Sequence, residues 1–180
     1  MLNTECLNNI QTVIFDLDGT FYDKRGLAKR MVRRLWWCLP LMIIDRVAKG
    51  RVWRWIVNTS WHRKIYLPTM VQLIKETCPR RKEVVELLHE VQQRHLQTAI
   101  YSDYRCVEEK LQVLHIDPGA FDLVITAPEL GGLKPTPACA QQVLDRLGAD
   151  PQTTLFIGDR DEKDGAAARA VGAKFLDITI

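Results

Sequence analysis

Acidic side chains are nearly missing from one long stretch of this chain. Between Lys24 and Lys82 there are 16 Lys/Arg against two acids, Asp45 and Glu76, a net charge of +14. The remaining residues carry nine basic and 20 acidic side chains, so the overall +3 of the 180 residues hides two opposed compositions. Such a split points to two modules with different jobs. Other absences narrow the class further. Cys6, Cys38, Cys78, Cys106 and Cys139 are odd in number, widely spaced and without a CxxC. That pattern argues against a disulfide framework or a zinc site and fits reduced thiols in a cytoplasmic protein. His62, His89, His95 and His115 lack metal-ligand spacing and are expected to be structural or solvated. The opening MLNTECLNN has neither a basic nor an apolar region of the secretory kind, so no signal is expected. The longest apolar run, Leu35 to Ile44, is ten residues with Pro40 inside it. A membrane-spanning helix needs about 20. Repeats, low-complexity tracts and Gly/Ser-rich linkers are absent.

At 47% hydrophobic, the chain can bury a core of one domain, or of one domain carrying a smaller inserted one. Outside the basic stretch, apolar runs of strand length alternate with helical patterns. Thr12–Asp16, Thr98–Ser102, Phe121–Thr126, Thr154–Ile157 and Lys174–Leu176 read as strands buried on both faces. Helices are expected over Glu83–His95, Arg105–Leu114, Pro137–Leu147 with Thr136 as N-cap, and Asp161–Val171, the last two ended by Gly148 and Gly172. The order argues for a parallel α/β sheet flanked by helices, whose ligands bind at the carboxyl ends of the strands.

The residues just after each run therefore matter most. The first strand ends in Asp16-Leu-Asp18-Gly-Thr20, two carboxylates on either side of a residue that alternates away, so both acids can face one cleft. The second ends in Ser102-Asp103. After the third, Gly131-Gly-Leu-Lys134-Pro-Thr-Pro137 holds one lysine before a helix N-terminus, a combination that suits an anion. The fourth ends in Gly158-Asp159-Arg-Asp161-Glu-Lys-Asp164-Gly, where acids at a helix start can be caps. A cluster this dense at the same end of the sheet as Asp16 suggests instead a hard cation with oxygen ligands.

In this order, these four pieces resemble the motifs of the haloacid dehalogenase superfamily, in particular its phosphatase-type members with a helical cap after the first motif. The resemblance covers roughly residues 10–22 and 80–180 and weakens across the basic segment. It implies a Rossmann-like sheet of strand order 5-4-1-2-3, a catalytic core of residues 1–22 and 80–180, and a small inserted α-helical cap over 23–79. It further implies that Asp16 is the nucleophile and that Asp18 is an acid and then a base, which also offers its backbone carbonyl to Mg²⁺. Ser102 and Lys134 would hold the phosphoryl group, Asp16 and Asp159 would bind Mg²⁺, and Asp164 would support the metal, with Asp161 able to share that last role. The chemistry agrees: a carboxylate attacking a phosphate needs a divalent cation and a lysine against charge repulsion, and one carboxyl can serve both steps of a covalent route. To carry a proton near neutrality, Asp18 needs a raised pKa.

The basic segment occupies the cap's place. Lys24 to about Leu39 sets Leu27, Met31, Leu35 and Leu39 at helical spacing, and Pro40 should break or kink that helix; Arg51–Leu67 and Pro68–Thr77 are two more candidates. The plainest expectation is that its tryptophans form a small core with Lys/Arg outside. Three functional readings compete with it: cations turned to a small phosphorylated metabolite, association with an anionic membrane surface and a lipid phosphate, and nucleic-acid binding, in descending order. A non-catalytic binding module on the same fold and a phosphotransferase are the alternatives to a phosphatase.

Overall fold

The computed structural model of the chain describes residues 4–47, 52, 55, 56 and 58–179. Five strands, β1 (Thr12–Phe15), β2 (Gln97–Ser102), β3 (Leu123–Thr126), β4 (Thr154–Gly158) and β5 (Lys174–Asp177), form one parallel sheet in the order β3-β2-β1-β4-β5. This is the α/β fold and strand order that the motifs imply, with strand ends shifted by up to two residues. The central strand β1 is buried at every position, which is why its sequence is a continuous apolar run and does not alternate.

The pleat sends successive side chains to opposite faces. Val13 and Phe15 face one core, together with Ile100 of β2 and with Val84, Leu87, Leu88 and Val91 of helix α4 (Lys82–Gln93). Ile14 faces the other, against Ala99, Tyr101, Ile125 and Phe156 and against Cys139, Val143 and Leu144 of α6 (Pro137–Leu147). Pro137 opens α6 and Gly148 closes it with φ 63°, as expected, but the Thr136 hydroxyl makes no capping bond. Helix α5 (Val107–Val113) follows β2, and the expected single helix over Asp161–Val171 is instead a wide π-type turn, Asp161–Gly165, leading into the short α7 (Ala166–Ala170).

The basic segment leaves the sheet after β1 and returns before α4. Its two ends pair antiparallel through Tyr22 and Arg80, with Asp23 N–H donating to Pro79 O at 2.9 Å and Arg81 N–H to Phe21 O at 2.9 Å. Between them lie α1 (Leu27–Arg34), a 3₁₀ turn (Trp36–Cys38), α2 (Leu39–Val47) and α3 (Leu67–Thr77). The expected helix from Lys24 to Leu39 stops at Arg34, and Pro40 does not end it. Pro40 is the second residue of α2, where a missing N–H costs nothing because the first turn has no partner for it. Of the expected helix over Arg51–Leu67, Val52, Trp55, Ile56, Ser60 and Trp61 are helical, Asn58 and Thr59 form a turn between them, and His62–Tyr66 is a π-type stretch that runs into α3; Arg51, Trp53, Arg54 and Val57 lie outside the described residues. Leu27, Met31, Leu35, Cys38, Leu67, Met70, Leu73 and Ile74 join the same apolar cluster as β1, and α3 packs against α5.

Phe15 anchors this cluster, with ring centroids 5.4 Å from Phe21 and 6.4 Å from Phe121. Phe15→Ala is expected to cost about 3–5 kcal/mol of stability, the range for a buried phenylalanine. A lower urea midpoint at unchanged slope would be the sign of it.

Candidate active site

Parallel register brings the strand ends level: Phe15 lies beside Ile100 on one side and Ile157 on the other, and Asp16 N–H donates to Ile157 O at 2.8 Å. Asp16, Ser102 and Asp159 thus emerge at one edge of the sheet. Two glycines let the acids close in. Gly19 has φ 102°, and a Cβ there would strike the Asp159 carboxylate and the Lys24 ammonium. Gly158 ends β4 directly against Asp164, whose carboxylate would meet any side chain at that position.

Lys134 sits at the centre. Its Nζ donates to Asp16 Oδ1 at 2.6 Å and to Asp164 Oδ1 at 2.6 Å, and both acids are buried with it. Its backbone N–H donates to Asp103 Oδ1 at 2.8 Å, and Lys163 Nζ holds the other oxygen of Asp103 at 2.6 Å. The loop lysine is therefore fixed at both its backbone and its tip. Burial opposes its charge, but Asp16, Asp164 and Asp103 outweigh burial and hold its pKa well above the ordinary lysine value. For Asp16, burial dominates: against the pull of Lys134, and helped by Asp164 and Asp18, it pushes the carboxyl up to about 7. Asp164 is raised for the same leading reason, burial. A third carboxylate completes the group, since one oxygen each from Asp16, Asp159 and Asp164 lie within 4.8 Å of one another. Asp161, the other acid considered for this place, is exposed and pairs with Arg169 at 2.7 Å.

Asp18 stands apart from that group. Its Oδ1 accepts from Lys110 Nζ at 2.6 Å and from the Tyr22 hydroxyl at 2.5 Å, and its Oδ2 accepts from Ser102 Oγ at 2.9 Å. Lys110 comes from α5, 92 residues away, and has no exposed surface. Burial alone would raise the Asp18 pKa, but Lys110 first, then Tyr22 and Ser102, outweigh it and leave the group below the ordinary carboxylate value. The raised pKa expected for Asp18 is thus overturned: the two acids of Asp16-Leu-Asp18 emerge at one strand end but lie in opposite electrostatic surroundings. Ser102 is spent on Asp18 and also accepts the Tyr104 N–H at 3.1 Å.

Three residues that sequence reading missed shape this site, Tyr22, Lys24 and Lys110, and Asp103, to which the sequence assigns no role, holds Lys134. Lys24 Nζ lies 2.7 Å from the Asp18 carbonyl oxygen and 2.6 Å from Asp159 Oδ2. It places a positive charge between the two oxygens that the motif comparison gives to a metal. Asp159 Oδ1 is buried with no hydrogen-bond partner. A buried carboxylate oxygen left without a donor, beside two more acids, has the donor chemistry of a hard divalent cation site such as Mg²⁺. Elsewhere, a concavity of about 400 Å³ lies between Gln92, His95, Gln97 and Asp122, at the amino end of β2, where no comparable group of acids gathers.

A family model described as haloacid dehalogenase-like hydrolase matches residues 51–178. Among curated relatives, a phosphoglycolate phosphatase from Aquifex aeolicus is 24% identical over 181 residues, covering 89% of this chain and 81% of that one. A pyrophosphatase, PpaX, from Oceanobacillus iheyensis is 25% identical over 173 residues, covering 90% and 80%. Among solved structures, a mutant of CbbY from Rhodobacter sphaeroides in complex with xylulose-(1,5)bisphosphate superposes with a TM-score of 0.72 at 16% identity, covering 92% of this chain and 84% of that one.

The Lys110–Asp18 pair gives a pH-dependent prediction. Removing one partner of a buried ion pair leaves the other charge uncompensated, so Lys110→Met is expected to cost about 3–5 kcal/mol at neutral pH. A carboxyl whose folded pKa is depressed contributes stability above its unfolded pKa and loses it as pH falls through the folded one. Thermal unfolding at a series of pH values should therefore show the gap between the variant and the parent shrinking toward acid.

Proposed function

The chain belongs to the haloacid dehalogenase-like hydrolase family, and from that membership we propose that it is a Mg²⁺-dependent phosphatase, hydrolysing a phosphate monoester through an aspartyl-phosphate. The observation that carries this reading is the buried Lys134, shared at 2.6 Å by Asp16 and Asp164, next to the partnerless Asp159 Oδ1. Asp16, Asp159 and Asp164, with the Asp18 carbonyl, are the residues that would hold the ion. Bound Mg²⁺ would supply positive charge that neutralises the phosphoryl oxygens and draws the Asp16 carboxyl toward its ionised form.

Asp16 is then the nucleophile. Its Oδ attacks phosphorus, the bond to the ester oxygen breaks, and the departing oxygen takes a proton; water next attacks the acyl phosphate and inorganic phosphate leaves. Lys134 would neutralise the transferring group and keeps Asp16 aligned. Asp18 is the proton carrier of both steps. In the orientation seen here, held by Lys110, Tyr22 and Ser102, it is ionised and suited to the second step, in which it takes a proton from water. Rotation away from Lys110 removes the leading cause of its depressed pKa, and that prepares it to hold a proton for the leaving oxygen. Ser102 is released by the same rotation to meet a phosphoryl oxygen.

The helical segment 23–79 is proposed as the cap over this site, carrying substrate choice. A small phosphorylated metabolite is the first reading of the substrate, in keeping with the phosphoglycolate named for one relative and the sugar bisphosphate bound to CbbY. A lipid phosphate is the second, favoured by the exposed tryptophans Trp36 and Trp37 on that segment.

With an aryl phosphate ester, phosphate release should need Mg²⁺, stop on chelation and return on readdition. Asp16→Asn should reduce the chemical step by at least about three orders of magnitude, since it removes the nucleophile itself. Full activity in that variant, or in the presence of chelator, excludes the mechanism. Because Lys24 and a divalent ion would share the same two oxygens, Lys24→Met should bind Mg²⁺ more tightly by calorimetry.

A further inference from the structure

The helices after β1 carry two apolar faces, and only one is used by the fold. Leu27, Met31, Leu35 and Cys38 point into the core. The other face is in solvent: Trp36 is 72% exposed, Trp37 56% and Ile43 54%, with Val32, Leu39 and Ile44 also open. The expectation that the tryptophans form a core of their own fails for Trp36, Trp37 and Trp55, and holds in part for Trp61, which packs on His62 and Tyr66. A run of large apolar side chains open to water over one turn of α1, the 3₁₀ turn and the first half of α2 is the mark of a docking surface.

The charge on that face states the partner's chemistry. From Lys24 to Ile44 the chain has six Lys/Arg and no acid. Arg25 and Arg34 are paired, to Asp23 and Glu76. Lys29 and Arg33 are exposed one turn apart beside Val32, Trp36 and Trp37, and among the described residues neither makes an ion pair. A second copy of the chain fits poorly, because a two-fold contact through this face would set Lys29 and Arg33 against their own equivalents. Nucleic acid would satisfy the cations and could stack on the indoles, but it has nothing apolar to receive Val32, Leu39, Ile43 and Ile44. An anionic bilayer surface satisfies all three kinds of side chain at once: phosphate headgroups for Lys29 and Arg33, the interfacial layer for the tryptophans, and the top of the acyl region for the aliphatics. Among the described residues no helix is long and apolar enough to cross a membrane, so contact of this kind is along the surface.

We infer that the face formed by Lys29, Val32, Arg33, Trp36, Trp37 and Ile43 docks the protein onto anionic lipid bilayers. The inference concerns location and stands on observations separate from the acid and lysine cluster. It holds whether the phosphatase substrate is a lipid phosphate or a soluble ester, and its test does not depend on turnover.

Flotation of the full chain with vesicles decides it, using phosphatidylglycerol-containing vesicles against pure phosphatidylcholine ones. Two unpaired cations near a charged surface should favour the anionic vesicles by at least about tenfold, with binding weakened at high salt. Trp36→Ser combined with Trp37→Ser should lose about tenfold or more of this binding and keep the parent's melting temperature. Lys29→Glu with Arg33→Glu provides a second, charge-only variant, expected to remove the preference for anionic lipid. Equal binding to both vesicle types, binding to neither, or undiminished binding by both variants would overturn the inference. So would tighter binding to an oligonucleotide than to anionic vesicles, or self-association through this face in light scattering.

Discussion

Negative charge gathered at the end of a parallel sheet is the constraint on which this structure turns. Asp16, Asp18, Asp103, Asp159 and Asp164 converge where few water molecules can solvate them, and uncompensated burial of any one would be costly. Four lysines from four different parts of the chain answer them. Lys134 serves Asp16 and Asp164, Lys110 serves Asp18, Lys24 serves Asp159, and Lys163 serves Asp103. The pairing is not symmetrical, and the asymmetry is informative. Lys110 and Lys134 are buried and fixed, whereas Lys24 is more than a third exposed and can withdraw. Asp159 keeps one oxygen with no donor at all. A free buried oxygen of this kind suits the doubly charged cation proposed for the site.

The fold supplies this convergence through alignment and not through any single strong contact. The register across β1, β2 and β4 brings Asp16, Ser102 and Asp159 to the same end of the sheet, with Ser102 and Asp159 one position past Asp16, and the missing side chains of Gly19 and Gly158 let neighbouring carboxylates approach. The return of the basic segment at Arg80 and Arg81 closes the arrangement, with Arg81 Nε donating to the Gly19 carbonyl at 3.1 Å. The turn that carries Asp18 and Gly19 is thereby tied to both ends of the segment proposed as a cap. Tyr22 and Lys24 flank the point where the chain enters that segment, and both bond to Asp18.

Much of this was legible in the sequence, for reasons that can be named. Strands buried on both faces write themselves as continuous apolar runs, so β1, β2 and β4 are clear; Asp16 and Asp159 lie just past β1 and β4, Asp164 lies further along the same turn, and Lys134 lies in the loop after β3. What the sequence hid was partnership. Lys110 looks like one more helical lysine among Glu108, Glu109 and Gln112, and only the packing of α5 against the first turn after β1 buries it on Asp18. The expected rise in the Asp18 pKa failed for that reason: burial was foreseeable and its compensation was not. Pro40 misled in another way, since a proline inside an apolar run reads as a break when it can equally open a helix. The tryptophans misled by type, because size and apolarity suggest a core, and nothing local tells an indole facing inward from one facing out.

The central claim is that Asp16 carries the phosphoryl group while Lys134, and a divalent cation that the neighbouring acids would hold, neutralise its charge. The most direct measurement is a rapid acid quench of the protein turning over a radiolabelled aryl phosphate in the presence of Mg²⁺, followed by peptide mapping. The account predicts label on the peptide bearing Asp16, stable to acid and released by hydroxylamine as an acyl phosphate must be. Steady phosphate release with no label on the protein, or label on a serine or on any carboxylate other than Asp16, would contradict it.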